Sequence, residues 1–217
     1  MRFSFLSGFG LLAITLALLT GCVSTKHAAP LGGCLVNFKA GDQLLMAEIP
    51  GISPYESAAL YKILEKKASE AGVQPAYAVE QEMDLRLHQV KPTADTASLA
   101  ALQKLGYAYY LRVQVEGKEA PESYTHTSAE ERREADAALT PANFRKEEDV
   151  SKAQLTFSLY TTDERRLIYT LVTTTEMRAL PIAENDGDLH TVNLSKASMA
   201  IQKAMTKGVK KLLESCR

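Results

Sequence analysis

Three thiols have the most specific chemistry open to them in this 217-residue chain, and an odd count means that one has a different fate from the other two. Cys22 follows Leu19-Thr20-Gly21, Cys34 lies near the start of the expected folded part, and Cys216 is the penultimate residue. Neither Cys34 nor Cys216 sits in a sequence that marks an activated nucleophile, so the two form either a disulfide or a pair of separate buried thiols. The other candidate chemistry is weaker. Glu130, Glu131 and Glu134 could supply carboxylates, but acid–base work needs a positioned pair in a cleft. Here they alternate with Arg132 and Arg133 and read as a solvated face with Glu-to-Arg pairs. Glu184-Asn-Asp186-Gly-Asp188-Leu-His190 is the densest set of hard oxygen ligands, yet the acid that closes a calcium loop is missing because Ser195 stands at the twelfth position. His27, His88, His126 and His190 are too scattered to read as a metal site. No Walker loop, dinucleotide fingerprint, nucleophile elbow or zinc-spaced cluster is present. The expectation is a non-enzymatic protein without cofactor or metal.

The amino terminus separates Cys22 from the other two thiols. Met1-Arg2 leads into an uncharged stretch ending in Leu11-Leu-Ala-Ile-Thr-Leu-Ala-Leu-Leu19, followed by small residues. That order makes a secretory signal. Crossing a bilayer takes about 20 predominantly apolar residues, and Ser4, Ser7, Gly8 and Gly10 dilute this stretch. The run Leu19-Thr20-Gly21-Cys22 resembles the lipobox of bacterial lipoproteins, which implies cleavage before Cys22 and a diacylglycerol on its thiol. Residues 1–21 are then a signal peptide, 22–33 a lipidated tether and 34–217 a periplasmic domain. Removing 21 of 217 residues leaves 196, and the loss of Arg2 moves the formal charge from −1 to −2. Each buried CH₂ contributes about 0.8 kcal/mol, so two or three acyl chains anchor stably where one is marginal. The resemblance also implies that Val23, standing where an Asp would retain the protein at the inner membrane, favours the periplasmic face of the outer membrane. The inner membrane and the cell surface are the alternatives. Disulfides persist in that compartment, and a Cys34–Cys216 bridge would close nearly the whole domain.

The elements that must position these groups are legible from local signals. Val23 to Gly33 is small, polar and punctuated by Pro30, Gly32 and Gly33, as a tether is. At about 5–6 Å times the square root of its length it averages roughly 20 Å. Leu35, Val36 and Phe38 predict a short strand, and Gln43 to Pro50 a buried one. Ser53-Pro54-Tyr55-Glu56 combines a cap, a first-turn Pro and a reciprocal Glu, and predicts a helix over 54–71 ended by Gly72. Val73 to Val79 reads as a strand interrupted by Pro75, and Thr96 to Leu105 as a helix introduced by Pro92, Thr93 and Asp95. Tyr107 to Glu116 alternates as a half-buried strand, with Tyr107, Tyr109 and Tyr110 as a conceivable binding platform. Residues 117–152 carry Glu130-Glu-Arg-Arg-Glu134 and Arg145-Lys-Glu-Glu-Asp149 and no burying period, a charged insertion. Gln154 to Tyr160 and Arg166 to Thr175 predict a hairpin, Ala183 to His190 a polar loop, and Ser195 to Glu214 a last helix.

This order implies an α/β domain: a mixed sheet of about five strands with two or three helices packed on it. The capped helix after the first strand, Leu102-Gln-Lys-Leu-Gly-Tyr-Ala-Tyr-Tyr-Leu-Arg-Val113 and the hairpin Leu155 to Thr175 resemble the domain shared by three kinds of envelope protein. These are the Tol-Pal translocation protein amino-terminal domain, the curli-secretion lipoproteins and the outer-membrane lipoprotein activators of penicillin-binding proteins. The resemblance spans roughly residues 43 to 214, and is one of residue types and lengths. Two departures matter. A curli-type barrel needs segments of about ten alternating residues, whereas 117–152 is charged on both faces. The activators have a long tether, whereas this one is near eleven residues.

Charge completes the functional reading. With 25 basic and 26 acidic residues the chain has no overall basic excess for a nucleic acid. The expected partners are the lipid bilayer, through acylated Cys22, and another envelope protein. The partner-binding candidates are Glu130, Glu131, Arg132, Arg133, Arg145, Lys146, Asp186 and Asp188, because loops on a rigid scaffold commonly carry recognition. The alternative is an oligomeric component of an outer-membrane secretion or transport channel.

Overall fold

The computed structural model describes residues 23–30, 32–119, 124–127, 150–178, 180–183, 189–192 and 197–217. The chain is of the expected α/β class, and its described residues form two compact units. The larger comprises Thr25–Lys118, Lys152–Thr175 and Ala197–Arg217. Its basis is a six-stranded mixed sheet in the order β1 (Val23–Ala28), β7 (Arg166–Arg178), β6 (Val150–Thr161), β4 (Tyr109–Glu119), β2 (Gln43–Met46) and β3 (Gln74–Tyr77). Strand β2 pairs in parallel with both β3 and β4, placing Leu44 opposite Tyr109 and Leu45 opposite Tyr110. Pro75 is tolerated because β3 is an edge strand, where a missing N–H donor costs no ladder bond.

Helices cover both faces of the sheet around β2. On one face lie α1 (Pro54–Glu70) and α4 (Ala197–Ser215), packed against each other. Helix α1 begins as its sequence demands: Ser53 Oγ accepts from the Glu56 N–H at 3.2 Å, and the Glu56 carboxylate accepts from the Ser53 N–H at 3.2 Å. It ends at Gly72, whose φ of +83° is the left-handed conformation a β-carbon resists. The buried side of α1 is Ser57, Leu60, Tyr61, Leu64 and Ala68, with Ile63 half-buried at its margin. Leu44, Met46, Leu111, Leu155 and Phe157 are each fully buried in this core.

The opposite face is covered by α2 (Glu82–Leu87) and α3 (Thr96–Lys104). Leu85, Leu99 and Leu102 meet Leu45, Ala47 and Tyr110 there in a second buried cluster. Asp95 caps α3 by accepting from the Ser98 N–H at 2.7 Å, which holds its carboxyl below the usual range. Helix α2 falls in a stretch for which no element was expected.

The smaller unit is an antiparallel sheet in the order β5 (Tyr124–Thr127), β9 (Leu189–Val192) and β8 (Leu180–Ala183). Part of the expected insertion, 117–152, is therefore strand: β4 runs to Glu119, β5 lies within it and β6 starts at Val150. Tyr124 and Leu180 are both register partners of Val192, so the pairing is non-local in sequence and no window within the insertion contains it.

Candidate functional site

The segment that follows Cys22 is built into the sheet. Val23–Ala28, expected to be tether, is strand β1, the neighbour of β7 at the sheet edge. It carries almost no apolar surface. Backbone pairing holds it, with Thr25 Oγ1 lying 3.2 Å from Thr175 Oγ1 and His27 Nδ1 lying 3.0 Å from Thr173 Oγ1. Partial burial, then the neighbouring Lys211 and Lys207, lower the pKa of His27, while Glu214 opposes them. The sequence that follows Cys22 thus enters the sheet with no intervening spacer.

Cys34 and Cys216 are joined in a disulfide, with their Cα atoms 5.1 Å apart. The expected strand around Leu35, Val36 and Phe38 is instead a loop, because its backbone is held by the end of α4 and has no neighbouring strand. The Phe38 N–H donates to the Cys216 carbonyl at 2.8 Å, and the Phe38 ring meets Tyr109 edge-on at 5.0 Å between centroids. Leu35 stays exposed.

None of the eight charged partner-binding candidates, Glu130, Glu131, Arg132, Arg133, Arg145, Lys146, Asp186 and Asp188, lies within the described residues, nor does Cys22. The described surface has apolar groups that the sequence reading missed. Met83 and Leu87 of α2 are 84 % and 77 % exposed, and Tyr55 is 85 % exposed. Met83 and Leu87 stand four apart on one side of a short helix whose Leu85 is buried in the core. Exposed Glu80, Glu82 and Asp84 surround them in sequence. Methionine and leucine at that spacing were the available signal; six residues between two turns were too short a window to show a helical period.

Tyr61, Tyr77, Tyr107, Tyr109 and Tyr110 are packed into the fold. Tyr110 is buried, donates to the Pro92 carbonyl at 3.2 Å, and has its pKa pushed up to about 12, chiefly by burial. Tyr61 stacks on Tyr77 with centroids 4.8 Å apart, and burial pushes the Tyr61 phenol up to about 12. Tyr107 packs against the α2–α3 cluster, so the expected platform is core. Strand pairing makes His126 and His190 cross-strand partners, while His88 caps the end of α2. Among the described residues no group of three or more His, Cys, Asp or Glu could hold a metal ion, and no helix is long and apolar enough to cross a membrane.

No family model matches the chain, and no curated protein sequence matches it. Several solved structures are similar to it. The PelC dodecamer from Paraburkholderia phytofirmans is 12 % identical with a TM-score of 0.47, covering 90 % of this chain and 99 % of that one. Hypothetical protein CT253 from Chlamydia trachomatis is 11 % identical with a TM-score of 0.44, covering 82 % and 98 %. Lipoprotein GNA1162 from Neisseria meningitidis is 12 % identical with a TM-score of 0.42, covering 80 % and 98 %.

Proposed function

We propose that this chain is a non-enzymatic lipoprotein of the bacterial cell envelope, held by acylated Cys22 at the periplasmic face of the outer membrane, whose α/β domain binds another envelope protein. The observation that carries the proposal is Leu19-Thr20-Gly21-Cys22, placed after a signal-like apolar run and directly before strand β1. The Cys34–Cys216 bridge agrees with an oxidising compartment. Exposed Met83 and Leu87 support protein binding, since apolar side chains mounted together on a fixed element are what an interface core uses.

Growth with labelled palmitate tests the anchor. The wild type takes up label and fractionates with the outer membrane, and Cys22→Ser does neither; persistent label or membrane retention in that variant would overturn the anchor. Photo-crosslinkers at Leu87 and, separately, at Glu131 test the partner. A discrete adduct with one envelope protein supports the reading and identifies which surface is used, while silence at both sites removes it. Sedimentation of the acylated protein separates the channel alternative, because a stable ring of many copies would replace the adaptor reading.

A further inference from the structure

Helix α4 has an exposed side with its own charge pattern. Lys203, Lys207, Lys210 and Lys211 all project from one stripe, opposite the buried stripe of Ile201, Met205, Val209 and Leu212. Glu214 is the only acid on that side, 3.7 Å from Lys210. The helix macrodipole does not account for these lysines, since its effect is confined to the last turn and that turn holds none of them. Nor are they interleaved with acids, as on α1, where Lys62 pairs with Glu65 at 2.9 Å and Lys67 with Glu70 at 3.3 Å. The stripe lies on the side of the sheet to which β1 turns Thr25 and His27. Gly208 packs on Phe157 and Thr173, Thr173 bonds His27, and Lys207 and Lys211 both act electrostatically on His27. From His27 back to Cys22 is five residues, at most about 17 Å of extended chain.

We infer that the lysine face of α4 rests on an anionic lipid surface and acts as the second membrane signal beside the acyl chains. The inference rests on the reading of Cys22 as the acylated residue, and it adds which side of the domain meets the bilayer. An acyl anchor within about 17 Å of His27 holds this side of the domain near the headgroups, where each lysine is attracted over roughly a Debye length, about 8 Å. An acyl chain together with a polybasic patch is an established physical route to stable attachment. The orientation also leaves α2, on the opposite face of the sheet with Met83 and Leu87 exposed, turned away from the lipid.

The test uses the acylated protein reconstituted in vesicles of phosphatidylcholine alone, or of phosphatidylcholine with an equal amount of phosphatidylglycerol. A water-soluble acetylating reagent is applied, and each lysine is read by mass spectrometry. Lys203, Lys207, Lys210 and Lys211 are expected to react about threefold or more slowly on the anionic vesicles, and ~0.5 M salt is expected to abolish the difference. Lys91 and Lys104, exposed on the α2–α3 side, should react alike on both. Equal rates for the α4 lysines on the two lipids would overturn the inference, as would protection that ignores lipid charge, which would mean a protein contact. The mass of the amino-terminal peptide reports acylation of Cys22 in the same sample, so a failed anchor and a failed face are told apart.

Discussion

Gly208, in the middle of α4, lies so close to the Phe157 ring of β6 that a β-carbon there would overlap its edge and come within 3.0 Å of Thr173 Oγ1. A glycine inside a helix ordinarily costs about 1 kcal/mol relative to alanine. Here the position is set by the approach of helix to sheet, and the helix interior accepts the cost. Phe157 is fully buried and central to its sheet, so it cannot swing aside without displacing neighbours.

Gly208→Ala should therefore destabilise the domain, by about 1–3 kcal/mol as overpacking does, although it improves helix propensity. Urea unfolding of the oxidised protein measures this. The double variant Gly208→Ala with Phe157→Leu should be more stable than the two single losses predict when added, because the leucine vacates the space the new methyl needs. An alanine variant at or above wild-type stability would mean that α4 can lift from the sheet at little cost.

The bridge between Cys34 and Cys216 spans 182 residues, so it constrains the unfolded chain almost end to end. Loop entropy gives roughly 5 kcal/mol as an upper figure, and about 2–5 kcal/mol is the usual loss when a native disulfide is removed. Cys34→Ser with Cys216→Ser should lower the urea midpoint accordingly, with a steeper slope because the unbridged unfolded chain is more expanded and exposes more surface. Hydrogen exchange should quicken first in the last turn of α4 and at Phe38, whose N–H is held by the Cys216 carbonyl. An unchanged midpoint would show that packing of Phe38 on Tyr109 already closes the loop.

How much of this was legible in the sequence depended on how local each cause was. The cap at Ser53 and Glu56, the stop at Gly72 and the apolar stripe of α4 are written within one or two turns, and each stands where those residues imply. Strand β1 was not legible. Thr25 and His27 have partners about 150 residues away, at Thr175 and Thr173, and nothing apolar marks the pairing, so the segment reads as tether. Tyr110 illustrates a third situation. Alternation along β4 assigns Tyr109 to the core, but helices on both faces bury its neighbour as well. Cys22 was the most legible candidate because Leu19-Thr20-Gly21-Cys22, which resembles a lipobox, is contiguous in sequence; a candidate surface has no such run, and the exposure of Met83 and Leu87 becomes visible only once Leu85 is seen to be inside.

The hold of β1 on β7 should depend on pH. Burial and the neighbouring Lys211 and Lys207 depress the folded-state pKa of His27 below its ordinary 6.5. The unfolded or detached strand then takes up a proton more readily than the docked one. Docking is fully stabilised above 6.5 and weakens as pH falls through 6.5 toward the lower folded value. Amide exchange over Val23–Ala28 should accordingly be faster near pH 5.5 than near pH 7.5 after correction for intrinsic rates. His27→Gln should flatten that dependence. A wild-type profile as flat as the glutamine variant's would assign the strand's stability to its backbone bonds alone.

The buried polar cluster at the start of α1 has the clearest energetic signature. Ser57 is fully buried, accepts the Ile49 N–H at 2.9 Å, and lies 2.8 Å from the Tyr77 hydroxyl. One small hydroxyl thus satisfies a buried backbone donor and a buried phenol, and joins the loop after β2 to β3 through the helix. Removing it leaves both groups in a site where water is excluded, and an unpaired buried polar group costs about 1–3 kcal/mol. Ser57→Ala should cost that much or more, even though alanine is the better helix former. Removing the phenol as well restores the balance on one side: Tyr77→Phe in the Ser57→Ala background should cost less than Tyr77→Phe alone, a coupling that a double-mutant cycle reads directly. Simple additivity of the two substitutions would show that each hydroxyl finds another partner, and the polar bridge from helix to edge strand would then not be what fixes the start of α1.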